Sequence, residues 1–164
     1  FRFDGKAIGP VYKAPVYTGL EPSIEAEGGK IYQGSCHCGA VRVAVKVKPL
    51  DTWSPEIEDE RIVECNCSIC QRDQTAIEGE ENLTYYSFGS QVCRKGFCKN
   101  CGVHIMNVPN LPPEGKPIED WRAGFLKLLP ITLRVLNDFD YRTLKNQIRR
   151  EDGWKDLQPQ YVNP

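Results

Sequence analysis

Eight cysteines crowd the middle of the chain, at positions 36, 38, 65, 67, 70, 93, 98 and 101. Seven of them fall into tight groups: C-x-C at Cys36 and Cys38, C-x-C-x-x-C at Cys65, Cys67 and Cys70, and C-x-x-C at Cys98 and Cys101. An even count would suit the disulfide framework of a secreted protein. The grouping argues against it, because a disulfide joins residues whose Cα atoms lie several ångströms apart, and a bond across C-x-C is strained. Grouped thiols converge on one point, which is what a metal ion requires. Sulfur ligands offered from turns point to zinc, which accepts tetrahedral thiolate at about 2.3 Å.

Ligand counting divides these seven. A structural zinc takes four protein ligands, whereas a catalytic one takes three and keeps a corner open. The C-x-x-C in "FCKNCG" has the spacing of a zinc knuckle, with Gly102 permitting a tight backbone, but it must borrow a second pair. Cys36 and Cys38 are a pair with no third partner nearby. Joined, Cys36, Cys38, Cys98 and Cys101 make a closed four-thiolate site that ties the first hairpin to a distant turn. A clip across so long a loop stabilises most in principle.

Cys65, Cys67 and Cys70 remain. Either they hold a second zinc whose vacant corner takes a substrate atom, or that site is structural and completed by Cys93 or His104. Cys93, alone on a strand, reads as a small core residue. His37 sits between two ligands, and strand alternation points its ring away from their metal. His104 reads as a hydrogen-bonded structural histidine, though it could face the second site.

The elements that must hold these residues read as short strands. "KIYQGSC" is one, and "AVRVAVKVK" alternates, with Val41, Val43, Val45 and Val47 on one face and Arg42, Ala44, Lys46 and Lys48 on the other. That is a half-buried antiparallel strand. "RIVEC" delivers Cys65. "TAIEG", "NLTYYSF", "QVCRKGF" and "VHIMNV" follow, rich in aromatic and β-branched residues and punctuated by Gly and Asn. "NVPNLPPEGKP" reads as a Pro-rich loop, "IEDWRAGFLKLL" as the one substantial helix, "ITLRVL" as the last strand and "DGWKDLQPQYVNP" as a tail. The fold class is mainly β, with at most one short helix. Residues 1–29 form an irregular arm, and 30–164 a single zinc-binding domain that includes the tail.

Composition narrows the partners. The 164 residues suit one domain with a real core. Lys+Arg number 21 against 22 Asp+Glu, a net charge of -1, which leaves no broad basic surface for nucleic acid. The basic run "KNQIRR" reads as a solvated face. The longest apolar stretch, "GFLKLLPITLRVL", is broken by Lys127, Pro130 and Arg134, so no membrane partner is expected. "FRFDGKAIGP" lacks the apolar core of a secretory signal, and the expectation is a soluble cytoplasmic protein.

"GSCHCGAVRV", "CNCSIC" and "GFCKNCGVHI", in that order, resemble the glutathione-dependent formaldehyde-activating enzyme family, whose domain also occurs in centromere protein V. The resemblance covers about Tyr32 to Met106 strongly, and extends through "ITLRVLNDFD" and the tail. It implies a small zinc-pinned "β-tent". It also implies two zinc ions: a structural one on Cys36, Cys38, Cys98 and Cys101, and a catalytic one on Cys65, Cys67 and Cys70 with an open position. The implied activity is that of a carbon–sulfur lyase that joins glutathione, a small-molecule thiol, to formaldehyde. The alternative is a non-enzymatic interaction module with both metals structural, in the manner of centromere protein V.

Two departures stand out. Cys93 is outside the family pattern and might close the open zinc. Only seven residues, "QRDQTAI", separate Cys70 from Glu78, where the family has a longer aromatic and apolar stretch. The pocket is therefore altered, or the chain is broken, and a break is predicted between Asp73 and Gln74.

Overall fold

A computed structural model describes residues 10–22, 28–52, 63–65, 69–72, 74–88, 91–112, 114–115, 130–144 and 149–151, with 63–65, 69–72, 74, 141 and 149–151 described by backbone alone. In chain order the strands are β1 (Lys30–Ser35), β2 (Arg42–Val47), β3 (Val63–Cys65), β4 (Ile69–Arg72), β5 (Gln74–Glu78), β6 (Leu83–Ser87), β7 (Cys93–Cys98), β8 (His104–Pro109), β9 (Pro130–Thr132) and β10 (Arg149–Glu151). The protein is mainly β, as its alternating patterns predict. The described helical residues are 3-10 turns at Leu50–Thr52, Glu80–Asn82, Leu133–Val135 and Tyr141–Leu144. The predicted helix at 118–129, the tail at 152–164 and the expected break beside Asp73 lie outside the described residues.

The strands form a three-stranded sheet ordered β1-β2-β5 and a seven-stranded sheet ordered β10-β3-β4-β9-β8-β7-β6. Pairing is antiparallel except between β10 and β3. β2 is the centre of the small sheet, and this explains its burial. Val41, Val43, Val45 and Val47 are buried as one face, each stabilising by roughly 1.5 kcal/mol or more. Ala44, assigned to the outer face, is buried too, because β1 and β5 flank it at Gln33 and Ala76.

One core joins the sheets. Tyr32, Val43 and Val45 from the small sheet pack in a cluster with Leu83, Ile105, Met106 and Ile131 from the large one. Tyr32 is fully buried, and its hydroxyl accepts the Leu50 N–H at 2.9 Å, so its polar tip is satisfied. Its ring meets Phe139 edge-on at 5.7 Å.

Three element readings need correction. "ITLRVL" is a strand only to Thr132. Leu133–Val135 turn as a 3-10 helix, and β10 is the last strand. A 3-10 turn eclipses residues three apart, so Leu133 and Leu136 bury together while Arg134 stays out. Alternation alone does not separate this from a strand. "NVPNLPPEGKP" is not loop from its start, because β8 runs to Pro109. Cys93 is half-buried at the start of β7 and outside the core cluster. No helix among the described residues is long and apolar enough to cross a membrane.

Candidate metal centre

Two turns present the first group of thiols. Between β1 and β2, the Cys36 N–H donates to the Val41 carbonyl at 2.9 Å and the Gly39 N–H to the Cys36 carbonyl at 3.1 Å. Between β7 and β8 the device recurs: Cys98 N–H to the Val103 carbonyl at 2.9 Å, and Gly102 N–H to the Cys98 carbonyl at 2.8 Å. In each, the glycine after the second cysteine takes a left-handed conformation, with φ of +77° at Gly39 and +72° at Gly102. Any other residue would pay about 1–2 kcal/mol there.

The turns meet so that the Sγ atoms of Cys36, Cys38, Cys98 and Cys101 all lie within 4.8 Å of one another. Cys36 and Cys38 are 3.6 Å apart, and Cys38 and Cys98 3.7 Å. A tetrahedron with zinc–sulfur bonds of 2.3 Å has edges of about 3.8 Å. The gaps therefore fit one shared ion, and none of the described cysteines forms a disulfide. Cys36 and Cys98 are fully buried, Cys101 is half-buried and Cys38 is exposed.

The thiols differ in acidity. Burial pushes Cys36 up to about 12, with the Val41 N–H, 3.3 Å from its sulfur, only partly offsetting it. Burial also acts to raise Cys101. It is outweighed by the N–H groups of Val103 and Cys38 and by the Cys98 and Cys38 thiols, which hold Cys101 down to about 6. The cluster thus already holds one thiolate at neutral pH, and a bound cation deprotonates the rest. Four thiolates close a tetrahedral ion completely, so this centre is structural in character.

Residues without metal chemistry of their own hold the centre together. The Asn82 side chain donates to the Ala40 carbonyl at 3.2 Å in the first turn, and its carbonyl accepts the Lys99 N–H at 2.9 Å in the second. The N-terminal segment packs on the first turn. Tyr12 stacks on His37 with ring centroids 4.8 Å apart and donates to the His37 carbonyl at 3.2 Å. Thr18 anchors this segment by giving its N–H and hydroxyl to Glu78, at 3.0 and 2.9 Å. His37 is therefore a packing residue outside the thiol cluster. Nothing local in the sequence marks Asn82 or Tyr12 for these roles, since both contacts are long-range.

The second group is placed by backbone only. Cys65 ends β3 and Cys70 lies on β4, paired with Val63, while Cys67 lies outside the described residues. Cys65 and Cys70 are thus strand residues of one hairpin, where the spacing suggests three ligands on one turn. Cys93 is not among the four clustered thiols. His104 is hydrogen-bonded through both ring nitrogens, to Met106, Asn107 and Thr132.

No protein-family model matches the chain. Among solved structures it is similar to a crystal structure of a Rhodobacter sphaeroides protein, with 21% identity over 73% of this chain and 99% of that one, at a TM-score of 0.49. A likeness at that level carries no argument about function.

Proposed function

We propose that the chain is a zinc-dependent carbon–sulfur lyase of the glutathione-dependent formaldehyde-activating type, acting on glutathione or a glutathione adduct at Cys65, Cys67 and Cys70. The observation that supports this reading is the convergence of Cys36, Cys38, Cys98 and Cys101 without help from that trio. A closed structural centre is then complete, and three further cysteines are left together around the β3–β4 hairpin.

A zinc ion on three thiolates supplies a position at which an incoming thiol sheds its proton. Cys65, Cys67 and Cys70 contribute three anionic sulfurs, which keep the incoming sulfur electron-rich. Its lone pair attacks the carbonyl carbon, the C–S bond forms, and the carbonyl oxygen takes a proton. In the cleavage direction the adduct O–H loses its proton, C=O re-forms, and the C–S electron pair returns to sulfur.

The test is C67S, assayed for metal content and for turnover of S-(hydroxymethyl)glutathione above the uncatalysed rate. Loss of one metal and of turnover, with an unchanged circular dichroism spectrum, is expected. Unchanged turnover contradicts the reading. Two bound metals with no turnover in the wild type assign the chain to the interaction-module alternative.

A further inference from the structure

The two faces of the large sheet differ. Met106 and Ile131 are register partners on β8 and β9, and both are buried in the core. Their neighbours Asn107 and Thr132 alternate to the opposite face, where they are only 7% and 5% exposed and join His104 in a hydrogen-bonded chain. His104 Nε2 lies 2.9 Å from the Met106 carbonyl oxygen and 3.2 Å from Asn107 Oδ1. Both atoms only accept, so Nε2 carries the proton. In the neutral ring Nδ1 then accepts, and Thr132 Oγ1, 2.9 Å away, donates to it. The Thr132 hydroxyl proton is committed to His104, and the lone pairs of its oxygen remain to receive a donor.

Thr132 is the register partner of Cys70. Directly paired Cα atoms in an antiparallel ladder lie about 4.5–5.5 Å apart. A buried polar chain adds little stability over apolar residues of the same shape, and Met106 and Ile131 next to it are apolar. Its place beside Cys70 supplies a use for it. The engagement of both His104 nitrogens also removes His104 as the ligand that would close the second metal.

We propose that His104, acting through Thr132, is a positioning residue of the three-cysteine centre, and that the Thr132 oxygen accepts a hydrogen bond from the hydroxyl of a hemithioacetal adduct bound beside Cys70. This rests on the lyase reading above. Outer hydrogen-bonding partners of metal sites change affinity or activity about 10- to 100-fold when removed.

The test uses the metal-loaded full chain. T132V deletes the hydroxyl and keeps the shape, T132S keeps the hydroxyl, and T132A is a second deletion should T132V not fold. Both metals stay bound in all of them. Turnover of S-(hydroxymethyl)glutathione falls about tenfold or more in the deletions and is retained in T132S. In the cobalt-loaded protein, the visible absorption change produced by the adduct is weakened in T132V and preserved in T132S. A folded T132V or T132A with wild-type turnover and cobalt response overturns the proposal, as does a T132S as impaired as T132V. C67S with full turnover overturns the lyase reading itself. C67S inactive beside a fully active T132V removes only the His104–Thr132 role.

Discussion

The two turns that present the four clustered thiols are built alike and finished differently. Each opens with a cysteine N–H bonded to a valine carbonyl and turns on a glycine in the left-handed region. The first is overlaid by the N-terminal segment: a Cβ on Gly39 would sit 2.8 Å from the Pro15 ring, and Tyr12 covers His37. At Gly102 no atom lies within 4 Å of the same construction. The acidities diverge as well, with Cys36 pushed up to about 12 and Cys101 held down to about 6. The lesson is a division of labour. The second turn offers a ready thiolate from an open frame, and the first supplies a buried sulfur that ionises only against a cation.

The most severe way to test that pairing is to break the shared ion. A structural zinc contributes on the order of 10 kcal/mol, comparable to the whole stability of a small domain. C36S and C98S are each expected to abolish the chelator-sensitive part of the thermal transition, and to the same extent. A mild effect in either would mean that the turns do not share a metal.

The next test sharpens the contrast between the glycines. G102A is expected to cost about 1–2 kcal/mol in urea unfolding, from backbone strain alone. G39A is expected to cost more, because Pro15 must also move. Equal losses would show that the N-terminal segment does not pack against the first turn.

In the metal-free protein the acidities become visible. Ultraviolet thiolate absorbance should show a step near 6 that C101S removes. Because the Cys101 pKa is lowered on folding, its contribution to stability is present above the usual thiol range and is lost as pH falls through about 6. Cys36 acts in the opposite sense, contributing below that range and losing the contribution as pH rises through about 12.

The smallest effect concerns the anchor of the N-terminal segment. The Thr18 N–H leads the groups that hold Glu78 below the usual carboxylate range, with the Thr18 hydroxyl and Arg42 adding to it. Its contribution is present above that range and is lost as pH falls through the lowered value. E78Q is expected to flatten this part of the acid-unfolding curve and to leave the metal in place.

Much of this architecture was legible from local pattern. The alternation of Val41, Val43, Val45 and Val47 identified β2, and ligand counting alone paired Cys36 and Cys38 with Cys98 and Cys101 across most of the domain. Thiol chemistry made that long-range contact readable, since two pairs must meet to fill a tetrahedron. Where no such rule applied, sequence was silent. The change of sheet between β4 and β5 and the bridging role of Asn82 depend on contacts between distant segments. The 3-10 turn at Leu133–Val135 hides within an apolar pattern that a strand would share.

The account turns on the separation of a closed four-sulfur centre from a three-sulfur one. Metal analysis combined with X-ray absorption on C67S tests this most directly. The variant should hold one zinc per chain, bound by the four sulfurs of Cys36, Cys38, Cys98 and Cys101. Two zinc ions retained in C67S, or a remaining ion with fewer than four sulfur neighbours, would contradict it.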